Sequence, residues 1–146
     1  MKLVVATHGY RAKGIKSALS IVVDNVDDII DINAFTKDCP DPEAEIQKLL
    51  DCYGDEELLI LTDVYFGGVN QIFLRARRTR KFKLVTGVSL PLAVELSIQM
   101  RGGISDERLE EIVSICRNET KVIPVPCEQS GAASVIQTIQ DEEEEL

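Results

Sequence analysis

The stretch Leu58-Leu59-Ile60-Leu61 is apolar at every position, with no polar residue to mark an outward face. A strand with one wet face alternates apolar and polar side chains. A short run that is apolar on both faces belongs in a sheet covered on both sides, as parallel sheets between helical layers are. Leu3-Val4-Val5-Ala6 repeats the pattern near the N-terminus, and residues 28–32 and 83–88 are further strand candidates. Helical stripes alternate with them. Residues 11–23 carry Ala12, Ile15, Ala18, Leu19 and Val22 at helical spacing, and 43–52 follow the breaker Pro40-Asp41-Pro42 with Ile46, Leu49 and Leu50 on one side. Helices are also predicted over 70–79, from Pro91 to Met100, and over 107–117, the last with Asp106 as N-cap and Ser105 as the alternative. Residues 122–125 form a final short strand. Strands alternating with helices predict an α/β domain on a mostly parallel sheet.

At 146 residues, 45% of them apolar, the chain is of single-domain size and can bury a core. No apolar run approaches the roughly 20 residues that span a bilayer. The opening MKLVVATHGY is too short in apolar residues for a signal peptide, so the expectation is a soluble, cytoplasmic protein. The cysteines Cys39, Cys52, Cys116 and Cys127 form no close pair, and there is one histidine, a composition that offers no metal site and suits free thiols. A net charge of −9 disfavours nucleic acid as partner. Part of that excess is the tail Asp141-Glu142-Glu143-Glu144-Glu145, read as a solvated end. Against it stands the basic run Arg75, Arg77, Arg78, Arg80, Lys81 and Lys83, read as the polar C-terminal end of a helix, with a docking site for an acidic protein as the rival reading.

In sheets of this type ligands bind beyond the carboxyl ends of the strands. His8 lies two residues past the run 3–6, and Asp63 two past the run 58–61. If those strands are neighbours, the two side chains share a crevice. A carboxylate on one ring nitrogen fixes the imidazole tautomer and stabilises the cation formed when the other nitrogen attacks. Backbone N–H groups of Gly67, Gly68 and Val69, at the opening of a helix, would supply an anion cradle. Nucleophile, orienting carboxylate and cradle together describe phosphoryl transfer through a phosphohistidine. The chain has no GxxxxGK[ST] loop, no GxGxxG and no nucleophile elbow, which weakens nucleotide-binding and hydrolase readings.

The segments "VVATHGYRAKGI", "LLILTDVYFGGVNQIF" and "LVTGVSLPLAVEL" resemble, in order and spacing, the mannose-family enzyme IIA domains of the bacterial sugar phosphotransferase system, and "NVDDIIDINAF" is similar to that family's second strand and following loop. The resemblance covers about residues 1–125, leaving 126–146 as a C-terminal extension with the acidic tail. It implies a three-layer α/β sandwich in which a final antiparallel edge strand, here 122–125, is exchanged in a homodimer. It further implies that His8 accepts a phosphoryl group from the small carrier HPr and passes it to enzyme IIB for sugar uptake, with Asp63 orienting the ring. No metal or organic cofactor is implied, and contact with the membrane is indirect, through the transporter. The cradle departs from the family pattern: Phe66, Gly67 and Gly68 stand where Gly-Gly-Ser falls, so the serine hydroxyl is missing; a one-residue shift of the loop would restore the glycine pair but move the Asp away by one position. The rivals are the phosphoryl-carrier subunit of dihydroxyacetone kinase, a regulatory module of the same fold that no longer transfers, and a small-molecule enzyme with a deep pocket at His8. The sequence does not name the sugar.

Overall fold

The computed structural model describes residues 1–126 and Asp141. Four strands, β1 (Lys2–His8), β2 (Ile30–Ala34), β3 (Leu58–Thr62) and β4 (Lys83–Thr86), form one parallel sheet in the order β2-β1-β3-β4. Five helices accompany them: α1 (Arg11–Val22), α2 (Pro42–Cys52), α3 (Gly68–Ala76), α4 (Leu90–Gln99) and α5 (Asp106–Cys116). The alternation of side chains along the central strands explains why they are apolar throughout. Leu3, Val5, Leu59 and Leu61 pack with Leu19 of α1, Leu96 of α4 and Ile112 of α5. Val4, Ala6, Leu58 and Ile60 face the opposite way, onto Ile46 and Leu50 of α2 and Phe73 of α3. The result is the expected three-layer α/β sandwich with helices on both faces of the sheet.

The chain runs from β1 outward to β2, then crosses back to place β3 on the other side of β1. The order reverses between β1 and β3, so the crevice for function opens at their carboxyl ends.

Several element ends differ from the sequence reading, each for a local reason. β1 continues to His8, because His8 pairs with Ala34 and the next N–H, of Gly9, donates to the Ala34 carbonyl at 2.9 Å. β2 accordingly runs to Ala34 rather than stopping at Ile32. Its polar Asn33 is accommodated by accepting the Lys13 N–H at 3.0 Å and donating to Asp31 at 2.8 Å. β4 stops at Thr86, since Gly87 takes φ 81 and Val88 N–H turns to the Thr62 carbonyl at 3.0 Å. α2 starts at Pro42, capped by Asp41, whose carboxylate accepts Ala44 N–H at 3.2 Å. The N-cap of α5 is Ser105, not Asp106: Ser105 Oγ accepts Arg108 N–H at 3.1 Å, while Asp106 is the first helical residue and pairs with Lys83. α3 opens at Gly68, two residues before the predicted start, and ends at Ala76 instead of Thr79.

Residues 122–125 carry no strand assignment and do not join the four-stranded sheet of their own chain. Val122 and Val125 are about nine-tenths exposed. The edge of β4 away from β3 therefore stays open among the described residues. Most of the basic run works inside the fold. Arg80 donates to the Leu50 and Tyr53 carbonyls at the end of α2, Arg75 reaches Glu43 at 3.3 Å, Lys83 pairs with Asp106, and Arg77 lies 6.0 Å over the Phe82 ring. Cys127 and the acidic tail beyond Asp141 lie outside the described residues.

Candidate functional site

His8 ends β1 and Asp63 follows the last residue of β3, on adjacent strands whose register pairs Ala6 with Thr62. That register brings the two side chains together. His8 Nδ1 lies 3.0 Å from Asp63 Oδ2 and 3.2 Å from Oδ1, and the His8 backbone N–H donates to Oδ2 at 2.9 Å. Val64 N–H adds a donor to Oδ1 at 3.0 Å. The carboxylate is thus fastened by backbone as well as by the ring. Its side chain is 6% exposed, whereas the imidazole is 43% exposed. Burial pushes the Asp63 carboxyl up, but the hydrogen bonds from the His8 backbone and ring, with the ring's charge, outweigh it, and the net direction is down from the ordinary 3.8. With Nδ1 turned to an ionised carboxylate, it carries the hydrogen, and the lone pair is left on Nε2.

Two local devices hold this geometry. Gly9, at φ 60, turns the chain sharply after His8, and the buried Thr7 accepts Ala12 N–H on its Oγ1 at 2.7 Å, fixing the start of α1. On the other side the loop after Asp63 leads into α3. A Cβ on Gly68 would stand 4.0 Å from His8 Nε2, and one on Gly67 would stand 3.3 Å from His8 Cε1. The amino end of α3 therefore abuts the face of the ring that bears the free nitrogen. The three residues expected to form the cradle do not contribute alike. Gly67 N–H is spent on the Val64 carbonyl at 3.0 Å, whereas Gly68 and Val69 occupy the first helical positions, whose N–H groups have no partner within a helix.

Asn70 and Phe35 belong to this neighbourhood and were not anticipated. Asn70, 2% exposed, donates to Thr62 Oγ1 at 3.0 Å and accepts Phe66 N–H at 3.2 Å; Gln71 donates to the Phe66 carbonyl at 2.7 Å. Together they pin Phe66, whose φ is 57. The signal was an asparagine in the first turn of a helix, after Val69, where its amide can serve the backbone of the preceding loop. Phe35, the first residue after β2, tilts over the imidazole with ring centroids 5.5 Å apart. Tyr10, Phe35, Val64, Tyr65 and Phe66 are exposed around the site, and none of the grooves of about 360, 580 and 980 Å³ among the described residues is lined by His8. No cluster of three metal-ligating side chains occurs among the described residues.

The arrangement can present one nucleophilic ring nitrogen to an anion held at a helix start, in an open setting. Solved structures share its fold. The mannose/sorbose specific IIA subunit of the phosphotransferase system from Enterococcus faecalis superimposes with a TM-score of 0.74 at 21% identity, over 86% of this chain and 96% of that one. The phosphotransferase IIA protein associated with the fucose utilization operon of Streptococcus pneumoniae gives 0.65 at 25% identity, over 84% and 92%. Component EIIA from Streptococcus agalactiae gives 0.65 at 22% identity, over 83% and 95%. No curated protein matches the sequence. The family model of the phosphotransferase system fructose IIA component, EIIA-man, matches residues 2–117. The chain belongs to the EIIA-man family of phosphotransferase IIA components, a membership that carries a phosphotransfer role in sugar phosphotransferase systems.

Proposed function

We propose that this protein is a phosphohistidine carrier of the mannose type, taking a phosphoryl group from HPr onto His8 Nε2 and handing it to enzyme IIB. The observation that carries this reading is the pairing of His8 Nδ1 with Asp63 at 3.0 Å, which leaves Nε2 beside the start of α3. In the forward step the Nε2 lone pair attacks phosphorus as the P–N bond of the donor phosphohistidine breaks in line. The ring becomes cationic, its Nδ1–H donating to the Asp63 carboxylate. The phosphoryl oxygens turn to the N–H groups of Gly68 and Val69, with the partial positive charge of the helix start behind them. Transfer to IIB is the same step in reverse with a different acceptor. Gly67, its N–H already engaged, acts by its small size: it lets the loop pass close to the ring.

The exposed apolar rim around His8 favours a protein as phosphoryl donor and acceptor over a small substrate. The open edge of β4 adjoins a groove of about 980 Å³ lined by Leu84, Val85, Thr86, Leu109 and Val113, and Thr86 Oγ1 is buried there without a partner. We read this edge as the seat of residues 122–125 from a second copy, added antiparallel, so that the working unit is a homodimer in the cytoplasm. The test of the carrier role combines the protein with HPr, enzyme I and labelled phosphoenolpyruvate. Acid-labile label on the wild type and none on His8→Ala supports it. Equal label on both overturns it.

A further inference from the structure

Among the described residues three non-glycine positions have a left-handed backbone, and two of them are phenylalanines on loops that border His8. Asn25, the third, is a residue that adopts this conformation readily; a phenylalanine is not. Phe35, at φ 63, is the more informative. The residue is 57% exposed, so core burial does not account for holding it there. The loop is nevertheless tied tightly. Phe35 N–H donates to the Cys39 carbonyl at 3.0 Å, Thr36 Oγ1 to the Asn33 carbonyl at 2.7 Å, and the Tyr10 hydroxyl to Asp38 at 2.8 Å. These bonds aim the ring at one place. It leans over the imidazole at 5.5 Å and 31°, and its Cζ and Cε2 stand 3.5 and 3.7 Å from the position of a Gly68 Cβ, the same position that lies 4.0 Å from His8 Nε2. Backbone strain retained at a site, with an exposed ring that leans on that site, marks a functional constraint.

We propose that Phe35 is a water shield for the phosphoryl group on His8, setting how long the phosphohistidine survives between partners. The inference rests on the carrier reading above and extends it. A phosphohistidine is lost when a water oxygen bonds to phosphorus and the P–N bond breaks, its electron pair returning to Nε2 and both water protons leaving with inorganic phosphate. An apolar ring beside Nε2 and the helix start removes one approach for that water, while a docked partner supplies its own nucleophile and does not need the path.

Phosphoramidate tests this without any docking partner: Nε2 attacks its phosphorus, and ammonia leaves with the electron pair of the broken P–N bond. Wild type, Phe35→Asn, Phe35→Gly and Phe35→Leu are phosphorylated, freed of reagent, and followed by intact mass at neutral pH. Asparagine and glycine accept the left-handed backbone, so these variants melt no lower than wild type. Their phosphohistidine half-life is expected to fall at least about fivefold, with leucine retaining most of the wild-type lifetime. Equal half-lives in all four proteins overturn the shield while leaving the carrier reading intact. A wild type that takes no phosphoryl group on His8 overturns both.

Discussion

Replacing Asp63 by asparagine keeps size and shape and removes the charge. Three donors converge on the carboxylate: His8 N–H at 2.9 Å, His8 Nδ1 at 3.0 Å and Val64 N–H at 3.0 Å. An amide has a single oxygen. Whichever way it is turned, its NH2 group faces either the His8 or the Val64 backbone N–H, so at least one bond becomes a donor facing a donor in a place where the side chain is 6% exposed. The ring loses a charge-assisted partner, an effect of about 1.5–3 kcal/mol, which corresponds to roughly 10- to 150-fold in the rate of phosphoryl acceptance. The orphaned donor costs about 1–3 kcal/mol of folding stability. Rapid-quench labelling from phosphorylated HPr measures the first, and urea unfolding at neutral pH the second. The pH dependence separates charge from shape. The Asp63 carboxyl is lowered in the fold, so its stabilisation is fully present above the ordinary 3.8 and is lost as pH falls through the lower folded value. The stability gap between wild type and Asp63→Asn therefore narrows in acid. A variant that accepts phosphate within threefold of wild type, with a gap that stays constant from neutral pH down to about pH 2, refutes the reasoning.

Other substitutions probe separate parts of the structure. Gly67→Ala sets a methyl 3.0 Å from Val64 Cβ and 3.1 Å from the Val64 carbonyl, and is expected to cost about 1–3 kcal/mol in thermal or denaturant unfolding. Gly68→Ala meets nothing closer than 3.5 Å, so it leaves stability near wild type while its methyl, 4.0 Å from Nε2, slows labelling of His8. Ser105→Ala costs about 1 kcal/mol by loss of the α5 cap, whereas Asp106→Ala, which removes the exposed partner of Lys83 and leaves the cap in place, costs less in the same unfolding assay. If residues 122–125 are exchanged as proposed, the wild type is expected to sediment as a dimer in analytical ultracentrifugation and Ile123→Asp, in that exposed segment, as a monomer.

The layer architecture was legible because Leu3–Ala6 and Leu58–Leu61 are apolar at odd and even positions alike, which requires cover on both faces. The proximity of His8 and Asp63 was legible only as a condition, that β1 and β3 be neighbours. Crossover from β2 to β3 satisfies it, and strand order is set by tertiary packing that no local pattern records. Strand ends were misjudged where polar residues have ladder partners, as at Asn33 opposite Thr7. The α5 cap was misplaced by one residue because Ser105 and Asp106 are both good caps, and Lys83, distant in sequence, engages the aspartate. Phe35 escaped notice for a related reason. Its importance comes from a backbone conformation and a neighbour on another strand, neither of which an aromatic residue in a loop announces.

His8 and Asp63 are not held together by their mutual bond alone. Directly below them, β1 and β3 pair in parallel from Lys2 opposite Leu58 to Ala6 opposite Thr62, in the middle of the sheet. Parting the two backbones means opening that ladder, whose residues from Leu3 to Ala6 and from Leu58 to Thr62 are buried. Hydrogen-exchange protection at the His8 amide should therefore approach that of the core strands, although the imidazole itself stands in solvent. The ring end is accessible while its geometry is as durable as the fold, so in the proposed carrier role the residue would meet successive partners without being rebuilt for each.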